Sequence, residues 1–173
     1  MIVDRKNKYK GFLNIDELTV KTRSGKEVKR EVMVRKDAVA GVVYDTNLKK
    51  FIFVQQWRPG SNNSIVEIVA GTLDIPGEDP REGMIREIDE EIGYKTDSIV
   101  LIDECYVSPG GTTELVNIYY CEVSEKLHEG GGLEYEDIDV VEMDLDEVLS
   151  TRFRDAKTII GINYIKQNLS KFK

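Results

Sequence analysis

Cysteine is nearly absent from this chain of 173 residues: Cys105 and Cys121 are the whole supply. Two cysteines without metal-ligand spacing exclude a disulfide scaffold, and both sit in strand-like runs, where they read as reduced core thiols of a cytosolic protein. Histidine is rarer still. The single His128 lies in a glycine-rich stretch and is not assigned a catalytic role. No apolar run approaches the ~20 residues of a membrane span. The start, Met1-Ile-Val-Asp-Arg-Lys6, has no long apolar core, so no signal peptide is expected. Positive charge is in deficit: 24 Lys and Arg stand against 32 Asp and Glu, a net charge of −8. With no basic cluster, nucleic acid and anionic membrane are not expected partners. A phosphorylated substrate stays compatible, because a bound metal ion reverses the local sign. Internal repeats and low-complexity linkers are also missing.

What is present is the composition of one soluble globular domain, 40% apolar and 32% charged, long enough to bury roughly 70% of its unfolded surface. Phe12–Thr22 and Glu27–Arg35 read as two strands joined at Ser24-Gly25. Asp37–Tyr44 and Lys50–Trp57 are strongly β-like and are separated by Asp45-Thr46-Asn47. Val66–Ala70, Ser98–Tyr106, Leu115–Val123 and Asp137–Met143 add strands, and Leu145–Leu149 a short helix. Asp155 is placed to cap a last helix through Leu169, with Ile159, Ile162, Ile165 and Leu169 near helical spacing. Strands with a few interspersed helices predict an α/β sandwich, not a doubly wound parallel sheet.

One stretch carries the chemistry. Gly71 opens a turn, Asp79 and Pro80 start a helix, and Gly93 closes it. Glu82 is placed to complete a capping box, and Met84, Ile85, Ile88 and Ile92 form a narrow apolar stripe. Glu87, Glu90 and Glu91 stand at i, i+3 and i+4, so three carboxylates crowd one side of the helix. Arg86 can bridge either Glu82 or Glu90, each four residues away. A solvated acidic face would explain the three glutamates alone. The glycine turn and the order Arg-Glu-x-x-Glu-Glu-x-Gly point instead to a hard divalent cation held for phosphate chemistry.

From Glu78 to Tyr94 these residues resemble the Nudix box at every position, with Tyr94 as its last apolar residue. The departure is upstream, where six residues separate Gly71 from Glu78, one more than the family pattern has. The resemblance covers nearly the whole chain. It implies a Nudix-type α/β/α sandwich with a mixed β-sheet (residues 37–173) and an N-terminal β-hairpin extension (residues 1–36) that serves dimerisation and the substrate pocket. It also implies Mg2+, or Mn2+ as the alternative ion, on Glu87, Glu90, Glu91, Glu136 and the Ala70 carbonyl.

Further motifs point to the sugar-nucleotide branch. Tyr106-Val-Ser108-Pro109-Gly110-Gly111-Thr-Thr113-Glu114 joins two strands, and Pro109 follows Tyr94 by 15 positions, as in Nudix ADP-ribose pyrophosphatases. The phrase around it is similar to GDP-mannose pyrophosphatases, as is the glycine-rich acidic stretch Glu129–Asp137, in which Glu136 matches a catalytic-site carboxylate. A solvated surface loop is the plainer reading of that stretch. Gln56-Trp57-Arg58 resembles the segment bearing a substrate-binding arginine. Lys29-Arg30-Glu31 and Lys157 resemble substrate-contacting segments of the same branch, and for Arg30 and Lys157 an ordinary surface role fits equally well. Gly71 and Glu114 complete the implied substrate contacts. The resemblance thus implies a cytoplasmic homodimeric hydrolase of nucleoside diphosphate sugars, with Glu136, Glu91 or Glu90 serving catalysis. Two alternatives remain: a Nudix pyrophosphatase of another nucleotide or coenzyme, and a non-catalytic Nudix sensor domain.

Overall fold

The computed structural model describes residues 1–132 and 137–172. Residues 133–136, and with them Glu136, lie outside the described residues.

The N-terminal segment is a three-stranded antiparallel sheet of β1 (Ile2–Lys10), β2 (Asn14–Lys21) and β3 (Glu27–Met33), in that order; β2 and β3 are the expected hairpin, and β1 adds a strand to it. The turn at Ser24-Gly25 forms as expected, with Gly25 at φ 82°. The first strand escaped sequence reading because β1 has no apolar/polar alternation and buries no face; every residue in it is exposed. Its order comes from backbone pairing with β2 and from ion pairs such as Arg5–Asp16 and Lys8–Glu17.

The main sheet comprises β4 (Ala38–Asp45), β5 (Lys50–Arg58), β6 (Asn63–Glu67), β7 (Val69–Thr72), β8 (Tyr94–Tyr106), β9 (Leu115–Lys126) and β10 (Ile138–Met143). It is mixed: the path runs β10-β5-β4-β9-β8, and β4 and β9 are parallel. The side-chain period of two sorts the apolar residues onto both faces. Ala38, Ala40, Val42, Phe51, Phe53, Val116, Ile118 and Tyr120 face one core with α2 (Leu145–Ser150) and α3 (Ala156–Gln167). Val39, Val43, Ile52, Val54, Tyr119, Cys121 and Val123 face the other with α1 (Pro80–Ile92). This is the expected α/β/α sandwich. Covered on both sides, β4 is a nearly unbroken apolar run. Glycines allow the close approaches: a Cβ on Gly41 would press the Met84 thioether, and one on Gly161 would overlap Val42.

One irregularity builds the site. β4 pairs with β5 only at Val43–Asp45, and below that the strands part. β7 takes the open edge of β4 (Ala38–Gly41 against Val69–Thr72), and β6 takes the open edge of β5 (Val54–Arg58 against Asn63–Glu67). The single strand expected at Val66–Ala70 is therefore two strands that meet at Ile68, whose N–H is bonded to Thr158 Oγ1 at 2.9 Å.

In α3 the expected stripe holds at Ile162 and Ile165, which are buried, but Ile159 is 44% exposed and Thr158 and Gly161 face the core instead.

Candidate active site

The acidic helix forms as its caps dictate. Asp79 Oδ1 accepts from Arg81 N at 2.8 Å, Pro80 follows, and Gly93 ends the helix at φ 74°. Met84, Ile88 and Ile92 are fully buried. The expected capping box does not form here: Glu82 is exposed and only approaches Arg81, at 3.9 Å. A reciprocal box does form at α2, between Asp144 and Glu147. Three loop amides reinforce the end of α1. Gly131 N donates to Glu91 O at 2.8 Å, Gly132 N to Glu90 O at 3.1 Å, and Leu127 N to Gly93 O at 2.7 Å. These satisfy helix-end carbonyls that otherwise lack partners. His128 clips the loop in place: its Nδ1 accepts from Gly130 N at 3.1 Å, so Nε2 carries the proton donated to Asp89 Oδ1 at 3.0 Å.

Arg86 resolves the crowding of carboxylates. It bonds Glu78 through Nε at 3.0 Å, and its Nη1 reaches both Glu87 at 2.7 Å and Glu90 at 2.9 Å. Of the two bridges open to it in sequence, the one to Glu90 forms and the one to Glu82 does not. The Glu78 bond holds the guanidinium pKa above its ordinary value against the opposing effect of burial, helped by Glu87 and Glu90. Glu87 and Glu91 are buried. Glu91 Oε2 accepts from Ala70 N at 3.1 Å, which ties the helix to β7.

Could a cation sit here? Among the described residues no three Asp, Glu, His or Cys side chains already converge on one point. Arg86 draws Glu87 and Glu90, while Glu91 leans toward β7. The donor chemistry nonetheless fits a hard divalent ion. The groups are all oxygen donors on one helix face, two of them buried, with Ala70 held against Glu91.

Beside this helix lies a cavity of about 340 Å3. It is lined by Arg58, Ala70, Gly71, Glu114 and Lys157, all expected from the sequence, and by Arg35, Glu67 and Asp155. Arg58 forks onto Glu67, with Nε–Oε1 at 2.7 Å and Nη2–Oε2 at 3.0 Å. Lys157 bonds Asp155 at 2.8 Å and approaches Glu67 at 3.4 Å. The Glu67 bond raises the Arg58 pKa above its usual value despite burial. Burial pushes the Asp155 carboxyl up, but Lys157 and the donors of Thr158 outweigh it and hold it below the usual range. Arg35 bonds Glu114 at 2.9 Å.

Arg30 and Glu31 are not part of this cavity. Both are exposed on β3, and Arg30 Nη1 donates to the neighbouring Lys29 carbonyl. Glu67 escaped the sequence reading, although a signal was there: one carboxylate inside the apolar run Ile65-Val-Glu-Ile-Val-Ala70 needs a cation to be buried.

A NUDIX domain profile matches residues 34–160. The chain belongs to the Nudix family. It is similar to a methanol dehydrogenase activator of Bacillus methanolicus, 35% identical over 159 residues, covering 89% of this chain and 84% of that protein. It is also 34% identical over 157 residues to a GDP-mannose pyrophosphatase of Salmonella arizonae, covering 83% and 81% of the two chains. The solved structure of an ADP compounds hydrolase matches with a TM-score of 0.81 over 99% of this chain and 94% of its own, at 18% identity, which speaks for the fold alone. This Nudix chain is a hydrolase of phosphorus anhydrides.

Proposed function

We propose that this Nudix hydrolase cleaves a nucleoside diphosphate sugar, of the ADP-ribose or GDP-mannose type, with Mg2+ (Mn2+ as the alternative ion). One observation carries the reading: Arg35, Arg58 and Lys157 share a cavity with Gly71 on β7, directly beside the buried Glu87 and Glu91. Forked guanidinium donors suit the diphosphate. Glu87, Glu90, Glu91 and the Ala70 carbonyl are the residues that would hold the cation, which neutralises phosphate charge and acidifies a bound water.

The chain's own groups do the rest. Arg58 and Lys157 bind phosphate oxygens and stabilise the charge that develops on them. Glu67 and Asp155 hold these two cations in place. Water adds to one phosphorus, and the bridging P–O bond breaks. A nucleoside monophosphate and a sugar phosphate leave, and a carboxylate takes the water's proton. Glu91 lies beside β7 for that role, and Glu136, outside the described residues, is the other candidate.

We also propose a homodimer built through residues 1–36, with Arg30 and Glu31 serving the partner's pocket. Their exposure on β3, away from the cavity of their own chain, supports this. The free thiols Cys105 and Cys121 support a cytoplasmic location.

The test is turnover of ADP-ribose, GDP-mannose, UDP-glucose and nucleoside triphosphates with and without Mg2+, the products being resolved in 18O-labelled water. Preferential cleavage of triphosphates would overturn the sugar-nucleotide reading.

A further inference from the structure

The central cavity continues outward. A second lobe of about 260 Å3 shares Arg58, Glu67 and Asp155 with it and adds Arg154. A third lobe, also about 260 Å3, shares Arg154 and adds Arg152. The three cavities are thus linked in series by shared lining residues, with the second between the other two. In the central part every cation faces a carboxylate: Arg35 with Glu114, Arg58 with Glu67, and Lys157 with Asp155. The outer part is different. Arg152 and Arg154 make no ion pair among the described residues, and no carboxylate other than Glu67 and Asp155 lines either outer lobe. A protein of net charge −8 therefore keeps, among its described residues, two guanidinium groups without an ion-pair partner on the outer side of this chain of cavities.

We infer that Arg152 and Arg154 form an anion subsite that selects a nucleotide sugar carrying a second anionic group outside the diphosphate. This rests on the pyrophosphatase reading and narrows its substrate class. Guanidinium groups favour carboxylates and phosphate monoesters, which they grip through two parallel donors. Either group fits the shared chemistry. The preference is modest because both arginines are exposed to solvent. Two exposed contacts of this kind together give about a tenfold advantage.

The experiment compares matched pairs that share a base and a diphosphate. UDP-glucuronate against UDP-glucose places a carboxylate on the sugar side; ADP-ribose 2′-phosphate against ADP-ribose places a phosphate on the nucleoside side. The kcat/KM ratio is read with Mg2+, and the ratio of Kd values is read by calorimetry. Expected is about a tenfold preference for the anionic member of one pair, falling to within about twofold of unity in Arg152→Ala/Arg154→Ala. Which pair shows it identifies the group and the side of the substrate that bears it. The Arg152→Lys/Arg154→Lys protein keeps the charge without the fork and retains part of the preference. If the double alanine variant does not fold, the lysine variant and the loss of wild-type preference at raised salt decide. Equal ratios in both pairs, or a preference that survives the alanine substitutions, overturn the subsite. A preference in Kd with no turnover of any member sinks the pyrophosphatase reading and leaves the subsite standing.

Discussion

Gly71 on β7 lies directly against the carboxylate of Glu87 on α1, so close that a Cβ there would overlap the Glu87 side chain. The glycine is needed for that contact rather than for an unusual backbone angle. It lets a buried carboxylate stand between helix and strand while Arg86 holds its other side.

Gly71→Ala therefore displaces Glu87. The methyl group costs about 1–3 kcal/mol of stability through overpacking. Moving a carboxylate of the site lowers kcat on the order of 10²-fold. Thermal unfolding and steady-state kinetics read the two effects. Wild-type kcat in a folded Gly71→Ala protein would remove Glu87 from the reaction.

Glu91→Gln keeps the volume and still offers an oxygen to the Ala70 N–H, so the fold holds. The charge is gone. Turnover falls on the order of 10²–10³-fold, and cation binding weakens. Near-full activity at saturating Mg2+ contradicts the assignment.

The acidic helix was legible in the sequence because its signals are local: a cap, a proline, a stripe and a terminal glycine within one short segment. The central strands were legible for the same reason, since β4, β5 and β9 are local apolar runs, but with both faces buried no alternation tells which residue faces which core. The pairing of Arg58 with Glu67 was not, because the partners lie on different strands. It depends on β4 and β5 parting, which no local pattern encodes. β1 was hidden for the opposite reason: it has no buried face to leave a period. The glycine loop showed its composition, but not that its amides close the end of α1.

His128 offers a way to dissect that closure. Asn mimics Nδ1 and keeps an acceptor for Gly130 N; Gln mimics Nε2 and keeps a donor for Asp89. His128→Ala loses both contacts, at about 0.5–1.5 kcal/mol for each hydrogen bond, the low end applying because the pair is half exposed. Hydrogen exchange at Gly131 and Gly132 is expected to speed up most in the alanine variant and less in either conservative one. Unchanged protection in His128→Ala would show that the amides hold the loop unaided.

Asp155 couples pH to stability. Its pKa is depressed in the folded state from a reference of 3.8. A depressed carboxylate contributes stability that is present above the unfolded pKa and lost as pH falls through the folded one. Asp155→Asn is thus less stable than wild type from neutral pH down to about pH 4, and the difference shrinks below that. The loss includes part of the α3 N-cap, on the order of 0.5–2 kcal/mol. Denaturant titrations across pH measure it; a gap that widens in acid contradicts the assigned sign.

The N-terminal sheet gives the last prediction. Its residues Ile2, Tyr9 and Phe12 are exposed, Phe12 to 99%, and β1 offers an unpaired edge. Apolar side chains and a free strand edge invite a second chain. If that chain is another copy, Arg30 sits beside the partner's cavity, and each pocket draws Arg30 from one subunit and Glu91 from the other. Arg30→Ala and Glu91→Gln proteins are each impaired alone. Mixed and allowed to exchange, they form heterodimers with one pocket carrying both defects and one carrying neither. Activity then rises above the mean of the parents, toward half of wild type in each heterodimer. A monomeric mass in solution, or no recovery after exchange has been verified by mass spectrometry, rules the arrangement out.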